Sequence, residues 1–246
     1  MSENGPEPWG TIGVPSGIAM VYSQFSDALA GLVSTTQAYT MRLTDCKMAI
    51  EIATARSCYV SKARNELVKH SHGQWLFQTD TDHWFPPGLL VRLLKTMYGP
   101  DEGPLPVVSG LYFARGTHLP QVYMWRDEAE WTPTGCMRAA AEFPRDEPFT
   151  ADCVGAGALL VQTAVFEHIE NELGRGPFSQ ITIDTPEGPL QIEDDVAFCY
   201  NCRQLEIPIM VDPRALSKHI EATRIGWDEF DAAVGGYELM EAEKTC

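Results

Sequence analysis

The spacing of apolar residues changes repeatedly along the chain, and each change marks an element. Thr11–Pro15 (TIGVP) is a short apolar run of the kind that forms a buried strand. Phe25, Leu29, Leu32 and Val33 then recur at helical spacing. Lys47–Thr54 alternates and predicts a second strand. Ser57 stands where a helix cap belongs, ahead of an apolar face made by Val60, Ala63 and Leu67 that ends near Gly73. Gln74–Thr79 (QWLFQT) predicts a third strand and runs straight into Asp80-Thr81-Asp82. Pro86 and Pro87 suit the first turn of a helix whose core face is Leu89, Leu90, Leu93, Leu94 and Met97. Pro106–Ala114 reads as a further strand. Apolar strands alternating with amphipathic helices predict an α/β domain of Rossmann-like type, its mostly parallel central sheet flanked by helices.

The second half is less regular. Gln121–Trp125 and Asp152–Val161 carry strand patterns, and Thr163–Leu173 a helical one. Residues 174–191 contain Gly174, Gly176, Pro177, Pro186, Gly188 and Pro189, which predicts a long loop of the length used for functional lids. Asp194–Leu205 reads as a helix and Ile207–Asp212 as a short strand. Trp227, Phe230, Val234, Tyr237 and Met240 share one face of a C-terminal helix, weakened by Gly235 and Gly236.

Composition narrows the function classes. The 246 residues are 44% hydrophobic, enough for a large core, and no run approaches the roughly 20 apolar residues of a membrane span. Met1–Trp9 lacks a basic-then-apolar leader pattern, so a cytoplasmic protein is expected. The net charge of -16 opposes binding of nucleic acid by charge alone, although Arg203, Arg214, Lys218 and Arg224 suggest a local basic patch. Seven cysteines at irregular spacing point to a reducing compartment. The lone CxxC of Cys199 and Cys202 lacks the second pair a zinc site needs, and Cys46, Cys58, Cys136 and Cys153 are expected to be buried.

The sharpest chemical signal is Asp80-Thr81-Asp82. Ligands of open α/β sheets bind beyond the carboxyl ends of the strands. In an extended segment residues i and i+2 point the same way, so two carboxylates there can share one hard cation and the phosphate oxygens bound to it. The same acids would also suit a turn or a helix cap.

Taken with Ala63-Arg64-Asn65 before it and Pro86–Leu94 after it, this segment resembles the donor half of a GT-A glycosyltransferase. It is similar to the family 2 glycosyltransferases of bacteria and their phages. The resemblance implies that Pro15, Arg64, Asn65, Asp80, Thr81 and Asp82 contact a nucleotide-sugar, a UDP- or GDP-sugar. It implies that Asp80, Asp82 and His219, the last residue of Val211–His219, hold Mn²⁺ or Mg²⁺. Cys153–Val165 resembles the family's Gly-rich strand on the acceptor side, where Gly155, Ala156 and Gly157 would let a backbone approach a sugar; tight strand packing explains the glycines equally well.

Glu193-Asp194-Asp195 resembles the acidic start of the helix beside the acceptor. In that reading one of these acids is the general base, with Asp195 slightly preferred to Asp194. A charged helix N-terminus is the plainer reading. The resemblance covers residues 10–220, with a donor half at 10–115 and an acceptor half at 116–220; a single domain over residues 1–246 is expected, its tail at 221–246 lying outside the resemblance. It implies a hexosyltransferase acting on a protein, a glycan or a modified nucleic acid base, in a host cytoplasm if the chain is phage-encoded. One alternative is a sugar-phosphate nucleotidyltransferase, but Ser16–Ser26 lacks the basic residues of its phosphate loop. Another is a non-catalytic sugar- or metal-binding module, which leaves the acids at 193–195 without a purpose.

Overall fold

The computed structural model describes residues 9–16, 22–43, 50–99, 103–220 and 230–231. Strand β1 (Gly10–Ser16) leads to helix α1 (Ser23–Leu43), then β2 (Ile50–Arg56), α2 (Val60–His70) and β3 (Trp75–Thr79). A two-residue strand β4 (His83–Trp84) precedes α3 (Leu89–Tyr98) and β5 (Val107–Leu111). The second half runs β6 (Val122–Trp125), β7 (Met137–Ala139), β8 (Phe149–Ala151), β9 (Cys153–Val154), β10 (Ala158–Gln162) and α4 (Thr163–Leu173). It continues with β11 (Ile181–Thr185), β12 (Gly188–Ile192), α5 (Asp194–Gln204), β13 (Ile209–Leu216) and β14 (Lys218–His219).

Seven strands form the central sheet in the order β2-β1-β3-β10-β5-β13-β8. Strands β2, β1, β3, β5 and β13 point one way, while β10, wedged between β3 and β5, and the edge strand β8 run against them. This is the expected Rossmann-like α/β architecture with a mostly parallel sheet. Alternation along each strand divides the core. Leu76, Leu159 and Val161 face a layer with Leu67 of α2, Phe166 of α4 and Phe198 of α5. Phe77 and Leu160 face the opposite layer with Phe25 and Leu32 of α1 and Leu90 and Leu94 of α3. Helices therefore cover both faces, and β3 is buried along its whole length.

Several expectations are corrected. Residues 174–191 are not one loop: β11 and β12 pair antiparallel as a hairpin, with Gly188 at φ +132° beside the turn. Ile181, Leu190 and Ile192 tuck the hairpin against Trp131, Cys136 and Ala197. The strand expected over Asp152–Val161 is split. Its start, β9, joins a small sheet with β6 and β7, and its end, β10, joins the main sheet. β2 covers the expected strand from Ile50 onward; Lys47, Met48 and Ala49 lie outside the described residues.

Cys136 and Cys153 are buried as expected, but Cys58 is exposed; Cys46 lies outside the described residues. Arg203 pairs with Glu128 and Arg214 with Asp212, so neither contributes an unneutralised charge to a basic patch; Arg224 lies outside the described residues. Of the expected C-terminal helix only Phe230 and Asp231 are described, and the Phe230 ring stacks on Phe113 at 4.9 Å. Among the described residues no helix is long and apolar enough to cross a membrane.

Candidate functional site

Beyond the carboxyl ends of β1 and β3 lies a cavity of about 370 Å³. Pro15 from the end of β1, Asp80, Thr81 and Asp82 from the turn after β3, and Val60, Ala63 and Arg64 from α2 form one side. Tyr112, Gln121, Asp194, Asp195 and His219 close the other.

Arg64 is the hub. Its side chain is 3% exposed, an unusual place for a charge unless it is paired. Nη2 donates to Asp80 Oδ1 at 2.8 Å and Nε to Asp194 Oδ1 at 2.8 Å. Nη1 donates to Gln78 Oε1 at 3.1 Å and reaches the Ala156 carbonyl at 3.5 Å. Burial opposes the guanidinium's charge, yet the neighbouring carboxylates of Asp80, Asp194 and Asp195 outweigh it and raise its pKa. In return Arg64 holds the Asp80 carboxyl below its ordinary value against the opposing effect of burial.

Asp194 opens α5 with φ +55°, a left-handed conformation that costs a non-glycine residue roughly 1–3 kcal/mol. Its ion pair with Arg64 offsets that strain. Burial, reinforced by the Asp194 charge, pushes the carboxyl of Asp195 up to about 6. Asp195 Oδ1 accepts the N–H of Val196 at 2.8 Å. The two acids thus differ: Asp194 is committed to the Arg64 guanidinium, and Asp195 is held as a basic carboxylate on the cavity wall.

A second cluster lies across Asp82. β14 pairs antiparallel with β4, and its register sets His219 directly opposite His83. Their rings lie 4.3 Å apart, each edge-on to Tyr112. His219 Nδ1 donates to the Phe113 carbonyl at 2.6 Å, so the neutral ring carries its lone pair on Nε2. His83 is fully buried, and burial, with His219 nearby, pushes it down to about 3, which keeps it neutral. Its Nδ1 faces Ser217 Oγ at 3.1 Å, while Nε2 has no hydrogen-bond partner. Asp82 Oδ1 is likewise buried without a partner, 4.0 Å from that nitrogen. One ligand atom each from Asp82, His83 and His219 falls within 4.8 Å of the others. Two orphaned buried atoms, one acceptor and one neutral ring nitrogen, are what a cation would satisfy. On Oδ2, Asp82 also pairs with Arg115, which stands on the turn after β5.

Most of the expected residues meet in this cavity: Pro15, Arg64, Asp80, Thr81, Asp82, Asp194, Asp195 and His219. Four expectations are redrawn. The Asp80–Asp82 segment is a turn, with the His83 N–H on the Asp80 carbonyl, so its two acids diverge, Asp80 to Arg64 and Asp82 to the histidines. The cluster suited to a cation has His83 where Asp80 was expected. Asn65 turns away: its Nδ2 donates to Ser179 Oγ and its Oδ1 accepts the Phe178 N–H, so it anchors the 176–179 turn.

Glu193 is exposed and off the cavity wall. Gly155 and Gly157 serve close packing. A Cβ on Gly155 would lie 1.9 Å from Tyr112 Oη, and one on Gly157 2.5 Å from the His83 ring. The Gly157 N–H also donates to Tyr112 Oη at 3.2 Å. His83, Tyr112, Gln121 and Arg115 were not singled out by sequence reasoning. The CxxC cysteines are buried in α5, and the described residues gather no cation cluster around them.

No known protein family and no curated protein matches the sequence. Among solved structures, A197 from STIV superposes with a TM-score of 0.44 at 13% identity, over 88% of this chain and 96% of that one. S. aureus TarS 1-349 superposes with a TM-score of 0.42 at 12% identity, over 82% of this chain. The chain spans 57% of the TarS structure's length.

Proposed function

We propose that the chain is a GT-A-type glycosyltransferase that moves a sugar from a nucleotide-diphospho-sugar to an acceptor hydroxyl, using a divalent cation. The observation that carries this reading is the joining, at one cavity beyond the carboxyl end of a mostly parallel sheet, of a cation-suited cluster with the acid pair Asp194–Asp195. The resemblance of Ala63–Asn65, Asp80–Asp82 and Glu193–Asp195 to family 2 glycosyltransferases supports it.

Asp82, His83 and His219 are the ligands in this reading. A mixture of one carboxylate and two imidazoles favours Mn²⁺ over the harder Mg²⁺. The cation would offset the negative charge gathering on the leaving diphosphate. Arg64 fixes Asp80 at the donor side and Asp194 at the acceptor side, so one buried guanidinium sets the spacing between them. Asp195 accepts the proton of the acceptor hydroxyl as its oxygen bonds to the anomeric carbon and the carbon–diphosphate bond breaks. A carboxyl raised to about 6 is better matched to that task near neutrality than an ordinary aspartate.

The direct test is release of nucleoside diphosphate from a panel of UDP- and GDP-sugars with Mn²⁺, repeated with EDTA and with Asp82→Ala. Release from one donor that both treatments abolish is expected. Donor binding without turnover would leave a binding module as the better reading. No donor binding at all would overturn the proposal.

A further inference from the structure

We infer that Arg115 is a donor-positioning residue that exchanges partners, from Asp82 to the diphosphate, when cation and donor load; this rests on the function proposed above. The turn that carries it is tight. Ala114 donates its N–H to the Leu119 carbonyl at 2.7 Å, and the His118 N–H reaches the Ala114 carbonyl at 3.1 Å. Phe113 and Pro120 bridge its base. Gly116 at φ +72° and His118 at φ +56° supply the left-handed positions that close it. The backbone under Arg115 is therefore held, and its long side chain, 42% exposed, reaches from it to Asp82.

That side chain lies on Asp82 Oδ2, while the same carboxylate's Oδ1 faces His83 Nε2. A cation held by Asp82, His83 and His219 would have to share the Asp82 carboxylate with the Arg115 guanidinium. Two positive charges on one carboxylate repel, so each weakens the other's hold. A diphosphate reverses the sign. It brings negative oxygens to the cation, and a guanidinium offers the planar paired donors that match them. Arg115 then has a better partner than a carboxylate already neutralised by the cation. The exchange gives a half-exposed arginine beside a partly buried cluster two successive roles: it neutralises Asp82 through Oδ2 before loading and clamps the donor after.

The test separates the two sites of action. Mn²⁺ binding without nucleotide is measured by the loss of the free-ion electron paramagnetic resonance signal for wild type, Arg115→Ala, Arg115→Lys and Asp82→Ala. Binding of UDP and of GDP is then titrated at saturating Mn²⁺. Arg115→Ala is expected to bind Mn²⁺ about 3- to 5-fold more tightly than wild type, the scale of a partly exposed ion pair removed as a competitor. It is expected to bind the accepted nucleotide about 10-fold more weakly, with Arg115→Lys between the two. Unchanged or weaker Mn²⁺ binding in Arg115→Ala overturns the competition, and unchanged nucleotide binding overturns the clamp. If wild type binds Mn²⁺ no better than Asp82→Ala, the proposed cation site itself fails, and the partner exchange falls with it.

Discussion

Arg64→Met provides the severest test of how the site is held. The substitution keeps a long side chain but removes a guanidinium that is 3% exposed and bonded to Asp80, Asp194 and Gln78. Removing one partner from a buried ion pair typically destabilises by about 3–5 kcal/mol, because the other charge is left unpaired. Here the carboxylates of Asp80 and Asp194 retain 29% and 23% exposure, so water recovers part of the loss and the lower end applies, about 3 kcal/mol. For a chain of this length that lowers Tm by roughly 6–12 °C.

Thermal unfolding followed by circular dichroism at pH 7 and pH 4.5 reads the effect. Arg64 lowers the proton affinity of both acids, so the variant's carboxylates protonate more readily and its deficit should shrink at the lower pH. Adding Asp194→Asn should recover roughly half of the loss, since one of the stranded charges is gone. A drop below 2 °C at pH 7, or a double variant as unstable as the sum of the singles, would refute the view that Arg64 is the electrostatic hub.

Three further outcomes follow from the geometry. His83→Ala should weaken Mn²⁺ binding by at least about 10-fold in a direct titration, whereas the exposed His168→Ala should leave it unchanged. Gly157→Ala places a methyl 2.5 Å from the His83 ring, so it should displace the imidazole, lower stability by about 1–3 kcal/mol and weaken Mn²⁺ binding without touching a ligand. Asp195 carries a folded-state pKa of about 6 against an ordinary 3.8, so its stabilising contribution is present below 3.8 and is lost as pH rises through 6. Asp195→Asn should therefore be more stable than wild type at pH 8 by about 1–2 kcal/mol, a gain that fades below pH 4 in denaturant titrations, while the wild-type kcat/KM falls below pH 6.

The elements around the cavity were readable because β1 and β3 are short apolar runs and α2 and α3 carry apolar residues at helical spacing. The cavity residues at their ends could be placed once those patterns were seen. What sequence could not supply came from pairings without a period. β4 and β14 are two residues each, so nothing along the chain signals that His83 and His219 are register partners 136 positions apart. Gly and Pro density hid the β11–β12 hairpin, although Ile181, Ile183, Leu190 and Ile192 do recur at every second position, with exposed residues between them. Asn65 was misplaced for a reason the sequence did contain. Neighbouring helix residues point about 100° apart, so with Arg64 aimed into the cavity Asn65 points to one side, toward Phe178 and Ser179.

That divergence has an evolutionary consequence. Asn65 grips the chain at Phe178 and Ser179, just before the hairpin, and Arg64 grips it at Asp194, just after. Two consecutive residues on one helical turn thus staple both feet of a fourteen-residue excursion, 180–193. Sequence between the staples can be lengthened, shortened or exchanged while the acid at its downstream foot stays in register with the cavity. The hairpin is in this sense an interchangeable cassette. Related chains are expected to differ most between positions 183 and 189, and hairpins grafted there should be tolerated as long as Arg64, Asn65 and Asp194 are kept.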